Sequence, residues 1–307
     1  MSIALKDIRA SLEDGLLSFP VTDLDADGNF AANSYAERVD WFVKHGVSSV
    51  FVAGGTGEFF SLSEEEYRRV VETATETVRE KVPVISSTGR SIPQAIAFAK
   101  IAEEAGINAL LLMPPYLTEG PQDGLVEYAR TIMQNTDLPV IYYNRRNGAL
   151  ASEYVQELAD SCPNFIGLKD GTGDMQELND TIKTVGDRLS FIGGVPTAEI
   201  IAEAYLAIGV NTYSSAVFNF VPELAIHFYK SLRAGDTDAV RKLMKAFYIP
   251  FVRLRGRKKG YAISLIKAGA RIIGRDAGDV RAPLVMPMEE EVEMLKKIIS
   301  DGEKVMT

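Results

Sequence analysis

The sequence predicts an α/β fold, a closed TIM-type (β/α)8 barrel followed by a C-terminal helical extension. Two observations carry that prediction. Short aliphatic or β-branched runs alternate with amphipathic helical stretches eight times along the chain. Those runs are apolar through most of their length, as parallel strands covered on both faces must be. Eight units favour a closed barrel over an open doubly wound sheet. The open sheet would be favoured by a G-x-G-x-x-G after the first run, and none follows it.

The units run in order. Leu16–Val21 leads to a helical segment over Ala31–His45, and Ser49–Ala53 to one over Ser63–Glu80. Ser63 with Glu66 three residues on reads as a capping box for the second of these. Val82–Ser86 leads to Ile92–Ala105, Asn108–Met113 to Pro121–Asn135, and Leu138–Tyr143 to Ser152–Ser161. Phe165–Lys169 leads to Met175–Val185, Leu189–Gly193 to Thr197–Ile208, and Asn211–Ser215 to Pro222–Arg233. Beyond about Ala234 only helical patterns remain, over Thr237–Tyr248, Lys259–Ile273 and Glu289–Ile299. The expected division is a barrel over residues 1–234 and a helical domain over 235–307.

Composition narrows the chemistry. The 307 residues hold one cysteine, Cys162, and two histidines, His45 and His227. A disulfide framework, a Cys-cluster metal site and a His-rich metal site are therefore not expected. No metal and no organic cofactor is expected, and attention passes to lysine, tyrosine and carboxylates. The N-terminus has no apolar signal core, and no run of 18 apolar residues occurs. A cytoplasmic protein without membrane contact is the expectation. The net charge of −9 gives no general help in binding nucleic acid. The basic stretch Arg253–Lys259 (RLRGRKK) is read as a solvated loop or interface patch.

In a barrel of this kind the active site lies at the C-terminal ends of the strands. Lys169 closes the otherwise apolar strand FIGLK. Burial there would favour the neutral amine, which can attack a ketone and form a Schiff base. The alternative is a lysine that reaches solvent or pairs with Asp170. Tyr143 ends the neighbouring strand, as a proton shuttle or as a packed aromatic. The turn Ala53-Gly54-Gly55-Thr56-Gly57-Glu58 offers backbone N–H groups and a hydroxyl to a carboxylate or phosphate, or is a plain βα turn.

Taken together and in order, these segments resemble the dihydrodipicolinate synthase / N-acetylneuraminate lyase superfamily over nearly the whole chain. FPVTDLDADGNF resembles its first strand and acidic loop, AGGTGEFFSLSEEE its G-[ST]-T-G-E segment, VIYYN its catalytic tyrosine strand and GLKDGTGD its Schiff-base lysine segment. The resemblance implies a barrel with a C-terminal helical domain, an assembly of two or four copies, and Lys169 and Tyr143 as catalytic residues. Departures are also visible. The first hydroxyl of G-[ST]-T-G-E is Gly55 here, the tyrosine pair of the synthase is reduced to Tyr116 followed by Leu117, and YNRRNG lacks the synthase's proline and final arginine. The synthase relay is incomplete, which argues against condensation of pyruvate with an aspartate semialdehyde.

GGTGEFF, YNRRN, KDGTGD, SSAVFNF and the tail KKGYAISLIKAGARIIGRDAGDVRAPL resemble the decarboxylating branch of the superfamily. That branch dehydrates and decarboxylates 5-dehydro-4-deoxyglucarate, a dicarboxylate sugar acid. The resemblance implies that Gly55 and Thr56 hold the 2-oxo acid carboxylate. Asn144, Arg145, Ser214 and Ser215 are then candidates for the second carboxylate, and Gly194 for a close backbone approach. A glycine at 55 would loosen one carboxylate and so ease its departure. An aldolase acting on a keto-deoxy sugar acid through the same lysine, and a non-catalytic sugar-acid binder, are the competing readings.

Overall fold

The computed structural model describes residues 3–115 and 118–306. Eight parallel strands close into one barrel in sequence order, with the last pairing back on the first. They are β1 (Leu17–Ser18), β2 (Ser49–Val52), β3 (Val84–Thr88), β4 (Ala109–Leu112), β5 (Val140–Asn144), β6 (Phe165–Asp170), β7 (Ser190–Gly193) and β8 (Thr212–Ser215). Helix α1 (Leu5–Glu13) precedes them. Around the barrel stand α2 (Ala32–Lys44), α3 (Glu64–Val78), α4 (Ile92–Glu104), α5 (Gln122–Met133), α6 (Ser152–Ser161), α7 (Met175–Val185), α8 (Ala202–Ala207) and α9 (Pro222–Arg233). Four helices follow: α10 (Thr237–Leu243), α11 (Ile249–Arg255), α12 (Tyr261–Ile272) and α13 (Glu289–Lys304).

Strand alternation produces two cores. Inside the barrel lie Leu17, Phe19, Phe51, Ile85, Leu111, Ile141 and Ile192. Between strands and helices lies the larger core, which includes Val50, Val52, Leu110, Leu112, Tyr142 and Leu168. The capping box of α3 is present: Ser63 Oγ accepts from Glu66 N–H, and Glu66 Oε2 accepts from Ser63 N–H.

Three elements differ from the sequence expectation. The first strand ends at Ser18 instead of running to Val21. Pro20 has no N–H to donate, and Val21 N–H donates to Asn219 Oδ1 while Asn219 Nδ2 donates to Phe19 O. The backbone is thus taken over by a side chain. Helix α1 was not foreseen. Its Ile8 and Leu12 join the inner core, so the helix closes the N-terminal end of the barrel. The helix expected over Thr237–Tyr248 widens to a π turn at Met244–Tyr248 and continues as α11. Pro250, in the first turn of α11, cannot supply the usual backbone donor, and the wider turn absorbs that loss.

The basic stretch 253–259 is drawn into the fold in part. Arg255 donates to Pro196 O, and Arg257 lies 3.8 Å from carboxylates of Glu290 and Glu291. No helix among the described residues is long and apolar enough to cross a membrane.

Candidate active site

Lys169 reaches the barrel mouth because β6 is irregular. Val140 stands opposite Phe165, but the next residue, Ile141, stands opposite Gly167. One extra residue, Ile166, is inserted, and its side chain joins the inner core. Strict alternation from Ile166 would send Leu168 inward and Lys169 out toward the helices. The bulge reverses that phase: Leu168 packs in the outer core, and Lys169 faces in. It also brings Tyr143 directly opposite Lys169 in the ladder.

Lys169 is 4% exposed. Its Nζ sits 4.0 Å from the centre of the Tyr143 ring and 5.1 Å from that of Phe19. Two donors converge on one acceptor. Lys169 Nζ donates to Gly194 O at 3.1 Å, and Tyr143 Oη donates to the same oxygen at 2.9 Å. Arg145 Nη1 in turn donates to Tyr143 Oη at 3.1 Å. Burial pushes the Lys169 ammonium below its ordinary range, and the Arg145 charge pushes the same way against the opposing pull of Tyr143. Burial pushes the Tyr143 phenol up, but the Lys169 and Arg145 cations outweigh it and hold the phenol below its usual range. An amine whose charged form is disfavoured by burial, beside an acidified phenol, is the pair that imine chemistry requires. Gly194 must be glycine: a Cβ there would lie 2.5 Å from Lys169 Nζ, Lys169 Cγ and Asp170 O.

The turn after β2 supplies the second part of the site. Its two ends, Ala53 and Glu58, hold left-handed backbone with φ of 48° and 56°. Such conformations cost non-glycine residues about 1–3 kcal/mol each and persist where surrounding contacts enforce them. Between them, the N–H groups of Gly55, Thr56 and Gly57 and the Thr56 hydroxyl have no hydrogen-bond partner among the described residues. Successive N–H groups without partners form a cradle for an anion. The turn adjoins the lysine through Phe19: a Cβ on Gly54 would stand 2.6 Å from that ring. Around Gly55 itself the space is open.

The remaining predicted residues divide by strand phase. Arg145 is half-buried beside Tyr143. Ser214 is half-buried and lies on the inner face of β8, opposite Leu17. Ser215, one residue on, faces outward, and its hydroxyl donates to Glu199 Oε1 at 2.6 Å. Asn144 also faces away from the mouth: its Oδ1 accepts from Leu150 N–H at 2.6 Å and its Nδ2 donates to Leu150 O at 3.3 Å. Those two amide contacts hold the chain that leaves β5. Tyr116 and Leu117 lie outside the described residues.

Several functional positions were not singled out from sequence. Phe19 forms the apolar wall beside the amine. Asp170 anchors the end of β6, accepting from Tyr205 Oη at 2.6 Å and from the Thr172 hydroxyl at 2.7 Å. Glu58 pairs with Lys267, which is fully buried in α12. A lysine inside the apolar run YAISLIKAGA carries the same signal that marked Lys169. A cavity of about 720 Å³, lined by Lys6, Arg9, Glu13, Lys183 and Asp187 among others, lies at the opposite, N-terminal end of the barrel. It does not adjoin the lysine.

Known proteins resemble the chain over nearly its whole length. The model of the dihydrodipicolinate synthetase family matches residues 13–301. A protein of Acinetobacter baumannii (strain AB307-0294), named a probable 5-dehydro-4-deoxyglucarate dehydratase, is 47% identical over 299 residues, covering 97% of this chain and 98% of the relative. The 5-dehydro-4-deoxyglucarate dehydratase of Pseudomonas putida is 45% identical over 294 residues, covering 96% and 97%. Among solved structures, the dihydrodipicolinate synthase of Bacillus clausii superposes with a TM-score of 0.89 at 26% identity, covering 96% of this chain and 99% of the other.

Proposed function

The chain belongs to the dihydrodipicolinate synthetase family, and from that premise we propose that it is a Schiff-base lyase. It dehydrates and decarboxylates 5-dehydro-4-deoxy-D-glucarate to 2,5-dioxopentanoate, CO2 and water. The observation that carries the chemistry is the convergence of a buried Lys169 amine and the Tyr143 hydroxyl on Gly194 O. Full-length identity of 45–47% to proteins named for this reaction supports the substrate.

The neutral Lys169 amine attacks the ketone carbon, and Tyr143 donates the proton with which the carbinolamine oxygen leaves as water. The protonated imine acidifies the adjacent methylene. Loss of one of its protons gives an enamine, whose electron pair expels the hydroxyl on the next carbon as a second water. The imine is now conjugated to a new double bond. The bond to the far carboxylate then breaks. Its electron pair flows through the conjugated system to the imine nitrogen, and CO2 departs. The carbon left behind carries an enolic hydroxyl, which becomes the aldehyde on protonation. Water hydrolyses the imine and frees Lys169. In sum, the dianion and one proton give a monoanion, CO2 and one net water.

This balance corrects one expectation. The departing carboxylate is the one remote from the ketone, whereas the Gly55–Gly57 turn is our candidate for holding the one that stays. The glycine at 55 therefore cannot ease departure by loosening that carboxylate. Its open surroundings leave room for the substrate backbone instead. Arg145 and Ser214 are the residues we assign to the far end, with no role in substrate contact for the outward-facing Ser215 and Asn144. We also propose an assembly of two or four copies, as the family resemblance implies, and a cytoplasmic location.

The test is incubation with 5-dehydro-4-deoxyglucarate while CO2 and 2,5-dioxopentanoate are followed. Borohydride trapping and peptide mapping accompany it. One CO2 per substrate and an adduct on Lys169 are expected. Pyruvate without CO2 would favour the aldolase reading, and an adduct on another lysine would overturn the mechanism.

A further inference from the structure

The Glu58 carboxylate is fully enclosed, yet it touches no catalytic group. It is 1% exposed and bound entirely by residues more than 200 positions away. Lys267 Nζ stands 2.9 Å from Glu58 Oε1, as an ion pair whose alignment is not that of a hydrogen bond. The same ammonium donates to Asp279 O at 3.0 Å. Arg281 N–H donates to Glu58 Oε2 at 2.9 Å. The Arg281 side chain reaches past it to Gly28 O, Ser61 O and both oxygens of Glu66. Residues 277–278 are pressed against the barrel as well: Leu24 N–H donates to Ala277 O, and a Cβ on Gly278 would lie 2.2 Å from Leu24 O.

Glu58 is also the left-handed residue that ends the turn. Its N–H donates to Gly55 O, so its backbone closes the loop that carries the three N–H groups without partners. A left-handed glutamate relaxes unless it is held, and here it is held by its own carboxylate. Shifting Glu58 would swing the N–H groups of Gly55, Thr56 and Gly57 relative to Lys169.

We infer that Lys267, acting through Glu58, is a positioning residue for the anion-binding turn, so that α12 and the segment to Arg281 set how the substrate's retained carboxylate is held. This rests on the Schiff-base reading above. It adds that recognition of the carboxylate, as distinct from formation of the imine, depends on a residue of the C-terminal helices.

The experiment separates those two steps. Imine formation is trapped with borohydride using pyruvate, which carries the carboxylate, and acetone, which does not. In Lys267→Met the concentration of pyruvate needed for half-maximal trapping should rise by about 100-fold, the scale of a small misplacement of a binding group. Trapping of acetone should stay within about 2-fold of the unmodified protein, and Lys267→Arg should recover part of the pyruvate loss. Removal of one partner of a buried pair can unfold a protein. The variant carrying both Glu58→Gln and Lys267→Met leaves no unpaired charge and is measured beside it, with the same selective loss expected. A pyruvate-to-acetone ratio unchanged in the folded variants would overturn the inference. Equal loss of both probes would do so too, since it would mark a general structural role. Failure of the unmodified protein to trap pyruvate on Lys169 would instead refute the Schiff-base reading, so the two failures are distinguishable.

Discussion

Gly194→Ala is the smallest change that should disable the site, because one added carbon meets the amine and its support together. The Cβ would lie 2.5 Å from Lys169 Nζ, Lys169 Cγ and the backbone oxygen of Asp170. The lysine end is flexible and can swing away. The Asp170 carbonyl is ladder backbone and cannot, so β6 and the chain leaving β7 must part. Overpacking of this kind costs about 1–3 kcal/mol. For 307 residues, an unfolding entropy of about 2.1 cal/mol/K per residue gives roughly 0.6 kcal/mol/K. The expected fall in melting temperature is therefore only about 2–5 °C. Catalysis should suffer far more, because Gly194 O moves and the amine leaves its rotamer. A displacement near 1 Å costs about 100-fold in rate. Single-turnover borohydride trapping and steady-state CO2 release, with a thermal melt beside them, read the two effects separately. Gly124→Ala, on the exposed face of α5, is the control: its Cβ would meet only Pro121 at 3.6 Å, an ordinary contact, so trapping should stay close to that of the unmodified protein and the melt should not fall. Imine formation by Gly194→Ala at the unmodified rate would refute the placement of Lys169 against this carbonyl.

Tyr143→Phe should keep the fold and lower turnover by about 10²–10⁴-fold, as measured by CO2 release. A near-normal rate would remove the phenol from the proton path. Arg145→Met removes a cation that lowers both neighbouring groups, so the Lys169 amine becomes more basic. The acid limb of kcat/KM should move to higher pH. An unmoved limb would mean that Arg145 does not act on the amine. Glu199 is buried behind β8, and burial raises its carboxyl from 4.5 to about 7. The folded chain keeps a proton there that the unfolded chain loses, so the contribution of this group to stability is fully present below about pH 4.5 and is lost as pH rises to about 7. The shift of about 2.5 units corresponds to about 3 kcal/mol. Glu199→Gln should remove that slope, read as melting temperature against pH, and an identical slope would discount the buried proton.

The barrel could be read from the chain because its signal is local. Most strands are short apolar runs, and Ser63, Ser91, Asp174 and Asp236 cap the starts of α3, α4, α7 and α10. Facing was harder to read. Ser214 and Ser215 are consecutive strand residues, and a pleated strand cannot turn both toward the mouth. The same rule separates Tyr143 from Asn144, so half of that ambiguity could have been resolved from sequence. The inward facing of Lys169 could not, since simple alternation along FIGLK from Ile166 points it outward. Only the bulge between neighbouring strands rescues it. The pairing of Glu58 with Lys267 was hidden for another reason. It joins residues 209 positions apart, and no spacing in the chain records which buried lysine meets which buried carboxylate. Helix α1 was legible in principle, through Leu5, Ile8 and Leu12 on one stripe.

The carbonyl of Gly194 also carries handedness. A neutral amine has two hydrogens, and by engaging one of them the carbonyl leaves the nitrogen lone pair two of its three staggered positions. The protonated imine that follows has a single hydrogen, which the same oxygen can keep. The plane of the imine is then restricted before any carbon–hydrogen bond breaks, with the Tyr143 ring 4.0 Å from the nitrogen on one side. The two hydrogens of the substrate methylene become inequivalent, and a substrate deuterated at one of them should lose either all of its label or none.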